Sequence, residues 1–149
     1  MCIRDSGKVA VVVCDLNSFK EVNDCQGHLT GNLLLRSIAD GFRRCCEPMD
    51  LVARTGGDEF VFLLDAVDAG DCQQRLEAIE QSVSKACREH TITVTVTTSM
   101  GTAFFPAEGE TGEELLGLAD RRMYLNKRAV QESAGIPEER KRVQMARSA

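Results

Sequence analysis

Apolar residues recur along this chain with more than one spacing, and each spacing predicts a different element. Lys8-Val9-Ala10-Val11-Val12-Val13 is a continuous, mostly β-branched run, which predicts a central strand buried on both faces. From Thr30 to Cys46 the residues Leu34, Ile38 and Phe42 recur every four positions, with Leu35 and Cys45 beside them. That spacing predicts a helix with one buried face, ended by Pro48. Leu51-Val52-Ala53 and Phe60-Val61-Phe62-Leu63-Leu64 predict two strands around a glycine-bearing turn. Ala69 to Glu89 reads as a second helix, with Leu76, Ile79 and Val83 on one side. Thr91 to Thr98 alternates Ile92, Val94 and Val96 against threonines, which predicts a half-buried strand closed by Phe104-Phe105-Pro106. Glu108 to Thr111 reads as loop. Gly112 to Val130 predicts a third helix, apolar at Leu115, Leu118 and Met123 and broken by Ser133-Ala134-Gly135-Ile136-Pro137. Residues 1–7 carry no usable pattern, and 133–149 read as a charged tail, loosely helical at most.

The order strand, helix, hairpin, helix, strand, helix predicts an α+β fold, with helices against a mainly antiparallel sheet. The 149 residues suffice for one domain with its own core. A net charge of −5 and a pI of about 5.1 argue against a face that binds nucleic-acid polymers, though not against small nucleotides held through a metal. No run of 18 apolar residues predicts a membrane segment, and the first residues lack the pattern of a signal peptide. The seven cysteines form no C-x-x-C pair, and their odd number argues against a complete disulfide framework. They are expected to be reduced core thiols of a cytoplasmic protein.

Two acidic sites carry the candidate chemistry. Arg54-Thr55-Gly56-Gly57-Asp58-Glu59-Phe60 lies between the paired strand runs. The Gly-Gly pair predicts a tight hairpin with glycines at positive φ, and Asp58 and Glu59 then sit beside a bare backbone open to a ligand. A solvated turn with chance acids is the plainer alternative. The second site is Asp15 in Cys14-Asp15-Leu16-Asn17-Ser18-Phe19-Lys20, at the end of the buried run, where α/β folds place ligand-binding groups. Its plainer alternative is a helix cap.

Together these motifs resemble the GGDEF family, the diguanylate cyclases. Asn23-Asp24, Gly27-His28 and Gly31 follow Asp15 at the family's spacing, and Thr98-Ser99-Met100-Gly101, Ala119-Asp120, Met123-Tyr124 and Lys127 follow in order. The resemblance runs from about Lys8 to Lys127, and places a GGDEF domain over 8–132. It implies a palm-like core shared with class III nucleotide cyclases and some polymerases. It also implies condensation of two GTP into cyclic di-GMP and pyrophosphate by a homodimer in which each domain holds one GTP. Such a reaction builds negative charge on phosphate oxygens and removes a proton from a 3′-hydroxyl; Mg2+, with Mn2+ as an alternative, serves both needs through hard oxygen ligands. By resemblance, Asp15, the Leu16 carbonyl, Asp58 and Glu59 hold metal, and Asp58 and Glu59 are the catalytic acids, Asp58 taking the proton. Lys20 and Lys127 bind triphosphate, although a lysine near a helix end is ordinary. Gly56 and Gly57 let the nucleotide approach. Asn23 contacts guanine, Asn32 follows in the same pocket, and His28 lies near it, unless it is a capping or packing histidine.

The chain also departs from the family pattern. An upstream helix and a D-x-L-T-G-L-x-N-R motif are expected before the first strand and are not found, so a truncated N-terminus is expected and any sensory input lies outside this sequence. Gln131 stands where the family has a phosphate-contacting arginine. Glu47 and Asp50 occupy the positions of an R-x-x-D inhibitory site, which therefore lacks its arginine and is expected to be absent. Asn32 replaces a guanine-contacting Asp and predicts relaxed choice between GTP and ATP. An active cyclase, a degenerate GTP-binding regulatory module and a fragment unable to fold alone are the three readings the sequence leaves.

Overall fold

The structure is a computed structural model that describes residues 7–65 and 67–133. The expected unpatterned start, the helix break at 134–137 and the charged tail lie outside these residues, apart from Gly7 and Ser133. The described elements are β1 (Val9–Asn17), α1 (Phe19–Gln26), α2 (His28–Cys45), β2 (Leu51–Arg54), β3 (Glu59–Asp65), α3 (Ala69–Glu89), β4 (Thr97–Phe105) and α4 (Gly112–Ser133). The strands form one sheet in the order β2-β3-β1-β4, and every neighbouring pair is antiparallel. The expected α+β class holds.

The unbroken apolar run of β1 has a direct cause, because helices cover both faces. Ala10, Val12, Cys14 and Leu16 point into a core shared with Leu34, Ile38 and Phe42 of α2, Phe60 and Phe62 of β3, and Ile79 and Val83 of α3. The Phe42 ring meets Phe60 and Phe62 edge-on at centroid distances of 4.9 and 5.1 Å. Val11 and Val13 point the other way, to Leu115, Ala119 and Met123 of α4. Burial of Cys14 pushes its thiol up to about 12, so this cysteine is an inert core residue.

Helix α4 covers only half of its face. Residues paired directly across a ladder share a face, so Leu51, Leu63, Val11 and Ala103 form one row. Exposure along that row falls from 63% to 38%, 3% and 0%, from the β2 edge to the strands beneath α4. The helix sits close to β4 because Gly101 has no side chain. A Cβ there would lie 2.0 Å from the Ala119 carbonyl oxygen and 2.2 Å from the Met123 nitrogen. The outer edge of β4 is closed as well. The Asn126 Oδ1 accepts from the Met100 N–H (3.0 Å), Arg122 donates to the Thr102 carbonyl (2.7 Å), and Glu108 accepts from the Phe104 N–H (3.2 Å). Occupied edge groups cannot pair with a further strand.

Three expectations are corrected. The strand expected over Thr91–Thr98 is paired only from Thr97 onward. Val96 is buried, and Ile92 and Val94 pack against the same core, so the alternation records burial without pairing. Gln26 holds this segment instead, accepting from the Thr93 N–H (3.0 Å) and donating to the Thr91 carbonyl (3.3 Å). Helix α1 was not apparent because it buries only Phe19 and Val22. It starts after Ser18, whose φ of 67° turns the chain sharply out of β1. Finally, the turn between β2 and β3 is not a tight two-residue one. Gly56 and Gly57 do not adopt positive φ, and the N–H groups of Thr55 and Gly56 close a wider loop on the Glu59 carbonyl (2.9 and 3.4 Å).

Candidate active site

The apolar rows beneath α4 stop at the end of the sheet where Glu59, Asp15 and Ser99 form the next row. Asp15 thus shares its face with Val11 and Val13, but lies beyond the apolar rows. Its side chain is only 13% exposed. Asp15 is no helix cap; Lys127, projecting from α4, donates to its Oδ2 (2.5 Å). Its Oδ1 is buried and receives no hydrogen bond. Asp58 is drawn to the same place because the Leu16 N–H donates to its carbonyl (2.9 Å), tying the hairpin loop to β1. Arg54 braces the loop from within, donating to the carbonyls of Gly56 (3.0 Å) and Gly57 (3.0 and 3.2 Å).

The two carboxylates disturb one another. Burial raises the Asp58 carboxyl above its ordinary value; the negative charge of the neighbouring Asp15 raises it further, and Lys127 opposes this. A proton or a cation between them would satisfy both the repulsion and the orphaned Asp15 Oδ1. The donors are all hard oxygens, which suits Mg2+ or Mn2+. The glycines fit the same picture. A Cβ on Gly57 would meet nothing within 4 Å, and one on Gly56 only the Glu59 Cβ at 3.5 Å. Neither packing nor backbone angle demands glycine at these positions. Among the described residues no three His, Cys, Asp or Glu side chains converge as a metal cluster. Glu59 is correspondingly engaged elsewhere, with its Oε1 accepting from the Thr55 hydroxyl (3.3 Å).

The structure therefore gathers Asp15, Asp58 and Lys127, with the Leu16 backbone and the Gly56–Gly57 loop at hand. Lys20, Asn23, His28 and Asn32 lie along α1 and the start of α2. Lys20, His28 and Asn32 are exposed. Asn23 sits so close to Gly31 that a Cβ there would be 1.8 Å from the Asn23 Oδ1, an atom buried without a donor. Residues not singled out in the sequence complete the support. Asn17 donates to the hydroxyls of Thr97 (3.0 Å) and Ser99 (2.9 Å), joining the ends of β1 and β4 beside Asp15. A polar pair at one level of two adjacent strands leaves no trace in either strand's own periodicity.

Glu47 and Asp50 belong to a different construction. Asp50 accepts from the N–H groups of Glu47 (2.8 Å) and Asp65 (2.9 Å) and from the guanidinium of Arg75 on α3. Burial alone would raise its carboxyl, but Arg75 and the two N–H groups hold it below its ordinary value. Arg75 also lies 3.8 Å from Glu47. Asp50 is thus a buried junction between the segment before β2, the end of β3 and α3.

The family profile described as "Diguanylate cyclase, GGDEF domain" matches residues 2–133. The chain is 38% identical over 122 residues to MucR, a bifunctional diguanylate cyclase/cyclic di-GMP phosphodiesterase of Pseudomonas aeruginosa, covering 82% of this chain and 18% of MucR. It is 35% identical to PdeR, a cyclic di-GMP phosphodiesterase of Escherichia coli, over 83% of this chain and 19% of PdeR. The chain thus spans about a fifth of the length of these relatives. The solved GGDEF domain of DgcB from Caulobacter crescentus, in complex with cyclic di-GMP, superposes with a TM-score of 0.72 at 30% identity, covering 82% of this chain and 73% of that one.

Proposed function

Because the chain belongs to the diguanylate cyclase GGDEF-domain family, we propose that it condenses two GTP molecules into cyclic di-GMP, with Mg2+, between two copies of itself. Each 3′-hydroxyl oxygen bonds to the α-phosphorus of the other GTP. The bond from that phosphorus to the pyrophosphate oxygen breaks, and the hydroxyl proton leaves to a base. Two pyrophosphates are released. The observation that carries this reading is the Asp15–Asp58 carboxylate pair beside a glycine loop that no packing requires.

In this reading Asp58 takes the hydroxyl proton as general base. Asp15, Asp58 and the Leu16 carbonyl would hold the metal, with Glu59 joining them after leaving Thr55. Bound Mg2+ supplies charge neutralisation at the phosphate oxygens. Lys127 and Lys20 bind the triphosphate as mobile point charges. Asn23 and Asn32 read the guanine edge. One GTP per domain cannot close the ring, so turnover requires two domains face to face.

One observation favours a second reading. Gln131, on the last turn of α4, stands where the resemblance calls for a phosphate-contacting arginine. A neutral amide holds triphosphate less firmly, and a GTP-binding regulatory module would result. Incubating the purified protein with GTP and Mg2+ and identifying products by mass spectrometry separates the two. Cyclic di-GMP supports the cyclase; bound but unconverted GTP supports the module.

A further inference from the structure

We propose that Lys127 is a stand-in cation for the carboxylate pair. In the nucleotide-free protein its ammonium sits on one oxygen of the Asp15 carboxylate that a divalent ion needs, so metal binds well only when a triphosphate arrives to take Lys127 away. This rests on the reading of Asp15 and Asp58 as the metal site.

The geometry points to it in three ways. First, two partly buried carboxylates need a positive charge when no ligand is present, and among the described residues Lys127 is the ion-pair partner of Asp15. Arg54 is committed to the loop carbonyls, and Lys20 is exposed with no such pairing. Second, the occupancy of Asp15 is lopsided. Lys127 covers Oδ2 while Oδ1 stays buried and bare. An ammonium in contact with one oxygen repels a dication approaching the other, so the half-vacant carboxylate cannot serve both. Third, the displacement is confined to a side chain. The neighbouring Asn126 fixes α4 to the Met100 N–H (3.0 Å), and Gly101 lets the helix backbone pack against β4. The flexible lysine stem can then swing while the helix stays in place. Incoming phosphate oxygens offer the ammonium a new partner as they deliver the metal, which makes entry of metal and nucleotide mutually supporting.

The test is Mn2+ binding to nucleotide-free protein, read as loss of the free-ion signal in electron paramagnetic resonance. Lys127→Met should bind Mn2+ at least about tenfold tighter than the parent, within the range that groups touching metal ligands command. Lys127→Arg, which keeps the charge, should stay near the parent. Asp15→Asn should remove binding in both backgrounds. Equal Mn2+ affinity in the parent and Lys127→Met, with binding still lost in Asp15→Asn, would overturn the role of Lys127 and leave the metal site standing. Mn2+ binding indifferent to Asp15→Asn would overturn both. A measurement on the unsubstituted protein covers the case in which Lys127→Met does not fold. The 15N ammonium resonance of Lys127 should move when Mg2+ alone reaches saturation, and a resonance unmoved at saturation contradicts the proposal.

Discussion

Asp50 and Asp58 lie eight positions apart, and their surroundings push them in opposite directions. Asp50 faces a guanidinium and two N–H groups, whereas Asp58 faces burial and another carboxylate. Asp50, held below its ordinary value of 3.8, contributes stability that is present above that value and lost as pH falls through its lowered folded value. Asp58 does the reverse. Its folded form keeps a proton after the unfolded chain has released one, so stability falls as pH rises from 3.8 through the raised folded value. Without divalent metal, Asp58→Asn should therefore have a higher urea midpoint than the parent at neutral pH. The gap should narrow as pH approaches the ordinary carboxylate range; a variant less stable at neutral pH contradicts this. Only part of the contrast was legible in the sequence. Asp58 is marked in the sequence by its glycines, but nothing beside Asp50 in the sequence shows its bond to Arg75, 25 residues away. Asn32 carries a separate expectation. It is exposed near the start of α2, and its amide offers one acceptor where guanine presents two donors. With equal GTP and ATP, the parent should incorporate measurable adenine and Asn32→Asp should sharpen the preference for GTP. Guanine-only product from both proteins would contradict it.

The register between α4 and β4 sets the site at the scale of elements. Lys127 stands eight residues beyond Ala119, about 12 Å along the axis, so any shift at the Gly101 contact is carried to the carboxylates. Gly101→Ala would drive a methyl group into helix backbone, which cannot move aside as a side chain could. It should cost about 3 kcal/mol and lower the unfolding midpoint clearly; a loss within experimental error contradicts the packing account. The elements were legible wherever one pattern dominated. The four-residue spacing of Leu34, Ile38 and Phe42 and the continuous run in β1 both gave elements of the right type. Helix α1 was hidden because eight residues with two buried side chains carry too little period to detect. Thr91–Val96 misled for the opposite reason, since its alternation is real in burial but Gln26, not a neighbouring strand, satisfies its backbone.

For the whole molecule, the net charge of −5 argues against a basic polymer-binding face, and no helix among the described residues is long and apolar enough to cross a membrane. The partial cover of the sheet by α4 was not legible, because Leu51 and Leu63 read as ordinary strand residues until their row is followed across to Val11. The account also requires two chains for one product. The rate of cyclic di-GMP formation per chain should rise with protein concentration and then level off as pairs form; a rate per chain independent of concentration down to high dilution contradicts a transient pair. All of this depends on the carboxylate pair being the reacting centre. The most direct test is the rate of cyclic di-GMP formation by the parent and Asp58→Asn proteins, at saturating GTP and Mg2+ and equal concentration, with both shown to be folded by circular dichroism. The account predicts a loss of at least about 100-fold in the variant. A folded Asp58→Asn protein that makes cyclic di-GMP near the parent rate would contradict it.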